Sequence, residues 1–148
     1  MGGVLAGSAD LIEEAWVWKQ RLGGALRQAG IVAAAGVYAL DHNVERLAED
    51  HANAEAFAEA IAEVPGLALD PATVETNLVY IDVTAPGLDA AALSARLLER
   101  GVHISAMGKY RMRAVTYLDV GRDEVLTAAA VVSEVMQELA APAARDAG

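Results

Sequence analysis

The chain has no cysteine, so disulfides and thiolate chemistry are excluded from the outset. Bases are scarce as well: 11 against 21 acids, a net charge of −10 that would repel nucleic acid and anionic membranes. Long hydrophobic runs are missing. The longest apolar run, residues 29–40, is broken by two glycines and falls short of the roughly 20 residues a membrane span needs, so it reads as a buried helix. No charged opening segment followed by an apolar stretch suggests secretion, and a cytoplasmic location is expected. There is no Gly-x-Gly-x-x-Gly or Gly-Lys-Ser/Thr phosphate loop, no nucleophile elbow around Ser8, Ser94, Ser105 or Ser133, and no internal repeat. His42 and His51 are too widely spaced for a zinc pair and His103 is isolated, so surface or capping roles are expected.

What is present is apolar residue in quantity. A hydrophobic content of 55% is high for 148 residues, and some of that surface is expected to meet a partner. Residues 2–7 read as a short strand, after which Ser8 can cap a helix carrying Leu11, Ala15, Trp18 and Leu22 on one stripe. Gly23 and Gly24 stop it. Steps of four and three through Leu26, Gly30, Ala33, Val37, Leu40, Val44 and Leu47 then predict one long helix with a packing seam. A further helix runs through Phe57, Ile61 and Val64 to Pro65-Gly66; on it, Asp50-His51-Ala52-Asn53 reads as solvated surface.

The remainder alternates strands and helices. Residues 77–83 read as a strand, and Asp89 caps a helix with Leu88 and Leu93 in staple positions, ended by Gly101. Residues 102–106 and 112–118 read as two further strands with Gly108 in the turn between them. The last helix carries Val125, Ala128, Val132, Val135 and Leu139 on one face until Pro142, with a frayed tail beyond. The fold class is therefore α/β, a small sheet covered by helices plus a long interdomain helix.

Two arginines stand out. Leu22-Gly23-Gly24-Ala25-Leu26-Arg27-Gln28-Ala29-Gly30 sets Arg27 beside paired glycines at a helix start, where a guanidinium and free N–H groups suit a phosphate or carboxylate. Taken alone, a helix-start ion pair with a nearby acid would be the favoured reading. Arg113 shares a strand face with Val115 and Tyr117; taken alone, it reads as an edge-strand salt bridge.

Together with Gly2-Gly3-Val4-Leu5-Ala6-Gly7-Ser8 and Arg113-Ala114-Val115-Thr116-Tyr117-Leu118-Asp119-Val120, these residues resemble the C-terminal part of low-specificity threonine aldolases over residues 2–140. Those are fold-type-I pyridoxal-phosphate enzymes. The resemblance implies that Arg113 holds the substrate α-carboxylate and that Arg27 reaches the cofactor phosphate of a neighbouring subunit in a homo-oligomer. It also implies that the lysine carrying the cofactor lies upstream of Met1, so no catalytic residue is expected in this chain and no covalent attachment of pyridoxal phosphate to it. Where relatives commonly have a lysine near the substrate, this chain has Gln20, with Lys19 and Arg21 as neighbours that helix geometry turns about 100° away. Tyr117 stands where many relatives have histidine and is expected to pack on the sheet.

The resemblance divides the chain into a remnant of the large cofactor-binding domain (1–22), a hinge and long interdomain helix (23–49), a small α/β domain (50–141) and a tail (142–148). The implied activity is cleavage of a β-hydroxy-α-amino acid to glycine and an aldehyde, with this chain inactive by itself. The alternative is a non-catalytic interaction or regulatory domain built on the same fold. Neither reading involves nucleic acid, membrane or metal.

Overall fold

The computed structural model describes residues 3–70 and 72–140, and the chain divides after Arg46 into two compact units, Met1–Arg46 and Leu47–Gly148. In the first unit, residues 3–7 have no regular structure, contrary to the expected strand. Helix α1, Ala9–Arg21, begins where Ser8 accepts a hydrogen bond from the Leu11 N–H at 3.3 Å. It ends as the glycine pair requires. Gly23 takes φ +73°, its N–H reaches the Gln20 carbonyl at 3.2 Å, and Gly24 N–H reaches that of Lys19 at 2.8 Å. This double bond pattern satisfies carbonyls that the helix leaves free, and its left-handed residue suits glycine.

Helix α2, Gly30–His42, has 13 residues, which corrects the expected long helix through residues 26–47. Leu26 precedes it, Val44 follows it and Leu47 opens the next helix. The apolar spacing does continue through that gap, but the His42 ring nitrogen lies 2.9 Å from the Tyr38 carbonyl, and Asn43 caps the helix with its backbone N–H on Ala39 at 2.8 Å. A second correction concerns burial: α2 was expected to be a buried helix, yet none of its residues is buried.

The second unit is a two-layer α/β structure. Helix α3, Leu47–Ile61, is followed by strands β1, Leu67–Leu69, and β2, Leu78–Val83; helix α4, Ala90–Glu99; strands β3, Ser105–Ala106, and β4, Arg111–Val115; and helix α5, Arg122–Ala140. The sheet is antiparallel throughout, in the order β1-β2-β4-β3. Alternation along β2 buries Val79, Ile81 and Val83. Those residues join Met112 of β4, Phe57 and Ile61 of α3, Leu93 and Leu97 of α4 and Val125, Val132 and Met136 of α5 in one core. The opposite face of the sheet carries Leu78, Tyr80, Asp82, Arg111, Arg113 and Val115, none of them buried.

Local signals set the α4 boundaries as expected. Asp89 accepts from Ala92 N–H at 2.8 Å with Leu88 against the core, and Gly101 (φ +82°) closes the helix with the same bond pattern that ends α1. At the start of α5, Glu124 reaches back to Gly121 N–H at 2.7 Å. Both later strands are shorter than read from sequence, since only Ser105–Ala106 and Arg111–Val115 form ladder pairs. On the last helix Leu139 is exposed rather than on the buried face. The expected stop at Pro142 and the tail lie outside the described residues.

Asp50 and Asn53 overturn the expectation of a solvated surface: they are 3% and 2% exposed. Asn53 donates to the Val120 carbonyl at 3.4 Å, and the Thr116 hydroxyl donates to the Asp50 carbonyl at 2.6 Å. These long-range bonds tie α3 to the segment after β4. Nothing in the local sequence announces them.

Candidate active site

Arg113 occupies the middle of β4, with Tyr80 of β2 opposite on one side and Ser105 of β3 on the other. Because β4 is flanked by two strands, the reading of Arg113 as an edge-strand salt bridge is corrected. Among the described residues it forms no ion pair. Its Nε is buried with no hydrogen-bond partner. A buried guanidinium N–H left without an acceptor costs free energy of about 1–3 kcal/mol, so such a group is normally found where an acceptor is supplied from outside.

An open cavity of about 660 Å³ adjoins it, lined by Arg113, His103, Ser105, Tyr117, Asp119 and Asp123 among others. The sequence offered His103 only a surface or capping role and Ser105 no role beside Arg113; a two-residue strand has too little alternation to show that its register sets Ser105 beside Arg113. Tyr117 follows the end of β4 and lines the cavity half-exposed, instead of packing on the sheet.

Two positions away on the same face, Arg111 has the opposite surroundings. Its Nε and Nη2 grip the two oxygens of Asp82 at 2.8 and 3.0 Å, and Nη2 also meets Asp70. The forked hydrogen bond from Arg111 is the main reason the Asp82 carboxyl is held below the usual carboxylate range. The same bond, reinforced by Asp70, raises the Arg111 guanidinium further above its ordinary value. At the end of α4, Arg100 pairs with Glu134 and Glu138 of α5 at 2.6 and 3.0 Å, and these acids, Glu138 foremost, raise its guanidinium too. Against these two, Arg113 is distinguished by forming no ion pair among the described residues.

The remaining predicted residues belong to the first unit. Arg27 is exposed in the turn before α2, without a partner among the described residues. The N-cap of α2, Ala29, makes no side-chain bond, so the first N–H groups of that helix have no capping acceptor. Lys19 lies over the Trp16 ring at 4.6 Å and lines a cavity of about 320 Å³ with Leu5, Ile12 and Ala15. Gln20 is exposed and contributes its carbonyl to the end of α1. Arg21 stacks on Trp18 at 5.3 Å. The histidines stand apart: His42 stacks on Tyr38 at 4.1 Å, and His51 and His103 are exposed on other segments. Among the described residues no group of three His, Cys, Asp or Glu side chains could hold a metal ion, and no helix is long and apolar enough to cross a membrane.

Comparison with known proteins gives this geometry its setting. The low specificity L-threonine aldolase of Escherichia coli strain K12 is 41% identical over 130 residues, covering 88% of this chain and 37% of that protein. Low-specificity L-threonine aldolase 1 of Arabidopsis thaliana is 32% identical over 126 residues, covering 84% and 35%. The chain thus spans little more than a third of the length of these curated relatives. Among solved structures, MppP soaked with 2-ketoarginine superposes with a TM-score of 0.54 at 14% identity, covering 67% of this chain and 30% of that one. Lactobacillus brevis glutamate decarboxylase gives 0.52 at 19% identity, covering 62% and 23%. At such identities these two show the fold alone, the α/β fold of fold-type-I pyridoxal-phosphate enzymes. A family profile described as Beta-eliminating lyase matches residues 1–84, more than half of the sequence, and the chain belongs to that family.

Proposed function

We propose that this chain is the C-terminal part of a pyridoxal-phosphate-dependent lyase of the threonine-aldolase type, cleaving β-hydroxy-α-amino acids to glycine and an aldehyde, and that it is inactive alone. The observation that carries the reading is the buried, unpartnered Nε of Arg113 beside an open cavity. A planar guanidinium with free donors is suited to a bidentate grip on an α-carboxylate, and holding that group fixes the orientation of the bond to be cleaved. Tyr117 and Ser105 bound the same space.

The groups in the first unit fit an anionic cofactor. Arg27 has no acid partner among the described residues, and the uncapped start of α2 offers N–H donors suited to phosphate. Lys19 and Gln20 are proposed to lie toward substrate, as the resemblance implies, although Lys19 rests on Trp16 here. Pyridoxal phosphate, when bound, supplies the electron sink that carbon–carbon cleavage needs. The exposed apolar residues of α1 and α2 support a homo-oligomer. They equally favour the second reading, a non-catalytic interaction domain.

The test is L-threonine cleavage by the complete reading frame containing this chain, set against the 148-residue chain alone. Arg113→Ala is expected to lower kcat/KM about 10- to 100-fold, the value of a charge-assisted hydrogen bond, with cofactor retention unchanged. Arg27→Ala is expected to weaken cofactor retention instead. Normal kinetics for Arg113→Ala, or threonine cleavage by the short chain alone, would overturn the assignment; a complete frame without activity would favour the interaction domain.

A further inference from the structure

Strand β4 presents two arginines on one face, and the sheet treats them oppositely. Arg111 holds both oxygens of Asp82 and also reaches Asp70, whereas Arg113 forms no ion pair among the described residues and its Nε has no hydrogen-bond partner. The register explains who meets whom: Asp82 is directly across from Arg111, and Tyr80 is directly across from Arg113. Asp82 is therefore on the diagonal from Arg113. Diagonal neighbours in an antiparallel pair are about 7–8 Å apart, a gap that an arginine and an aspartate side chain can close. A carboxylate within reach of two guanidinium groups settles on the one presenting its fork directly, so the identity of residue 111 decides whether Arg113 is taken.

We propose that Arg111 is a positioning residue that acts through Asp82: by occupying both of its oxygens, it keeps this carboxylate off Arg113 and leaves that guanidinium open to a carboxylate from outside the chain. The benefit to an incoming substrate rests on the function proposed for Arg113, but the competition between the two arginines for Asp82 does not. Asp70 strengthens the arrangement by adding a second anchor for Arg111. Without Arg111, two acids would stand unneutralised on the face that Arg113 shares. Arg113 would be a base on that face within diagonal reach of Asp82.

The experiment is NMR on the full 148-residue chain, following the Arg113 Nε–H signal and the Asp82 carboxyl carbon, with acetate as the probe. In Arg111→Gln, Asp82 is expected to keep titrating below the ordinary aspartate value because Arg113 has captured it, and that lowering should vanish when Arg113→Gln is added. Acetate affinity at Arg113 should fall about fivefold in Arg111→Gln, the size of an exposed ion pair. It should return in Arg111→Gln/Asp82→Asn, and Arg111→Lys should preserve most of it. The proposal is overturned if Asp82 relaxes to the ordinary aspartate value in Arg111→Gln while the Arg113 signal and its acetate affinity stay as in the wild type. Should acetate leave Arg113 unmoved even in the wild type, while Asp82 still transfers between the arginines, the competition is upheld and the carboxylate-binding role of Arg113 is what fails.

Discussion

The two units use similar proportions of apolar sequence to opposite ends. In the second, Leu97 is 1% exposed and belongs to a core shared by three helices and the sheet; in the first, Ile31 is 84% exposed and neither helix buries a single residue. Helix α2 has no charged residue before Asp41, so it has no polar face to turn toward water. Apolar content is therefore a poor guide to where burial occurs. What distinguishes the units is whether the chain itself brings a second layer against the apolar residues, as α3, α4 and α5 do against β2 and β4.

The sharpest way to break this contrast is to make the same truncation in both. Leu97→Ala is expected to destabilise the second unit by about 2–5 kcal/mol, since it leaves a cavity in a closed core. Ile31→Ala should change stability by no more than about 0.5 kcal/mol, because its side chain is already in water. Urea denaturation of each variant reads both values; a comparable loss at Ile31 would mean that α2 is covered in solution.

Glycines offer a second comparison. Gly66 has φ +88°, and a Cβ there would come within 2.9 Å of Ala85 Cβ and Met136 Cε, so Gly66→Ala should cost about 1–3 kcal/mol. Gly30, at the start of α2, would meet nothing within 4 Å. Gly30→Ala is thus expected to be neutral or stabilising by up to about 1 kcal/mol in this chain. If thermal unfolding showed Gly30→Ala to be as damaging as Gly66→Ala, close approach at α2 would be a property of the chain itself.

The smallest expected effect is electrostatic. Asp82 titrates below its unfolded value, so its pairing contributes fully above the ordinary aspartate value of about 3.9 and is lost as pH falls through the lowered native value. Both partners are partly exposed, which limits the contribution to about 1 kcal/mol or less. Comparing wild type with Asp82→Asn from pH 7 to pH 2 should show a difference that closes only at the acid end. A difference that persists at pH 2 would point to packing, not charge.

Much of the fold was legible because its signals are local. Ser8 and Asp89 cap the helices they precede, Gly23 and Gly101 end helices through a left-handed residue, and alternation in β2 separates its two faces. A cap needs only residues three or four apart, so it survives whatever the rest of the chain does. The site was legible in part: Arg113 was singled out from its place on a strand and from family resemblance, whereas Ser105 and His103 were not placed beside it.

By itself, then, the sequence determined the family, the α/β class and the boundaries of α1, β2 and α4, each of which depends on composition, matching motifs or contacts within a few residues. Only the tertiary structure decided that Arg113 is in an inner strand with its Nε unpartnered, that Arg111 meets acids 29 and 41 positions away, and that Asp50 and Asn53 are buried. The reason is physical. Which strand is inner, which acid faces which arginine and which polar residue loses water are set by register and long-range packing, and sequence spacing carries no information about partners that only the closed sheet brings together.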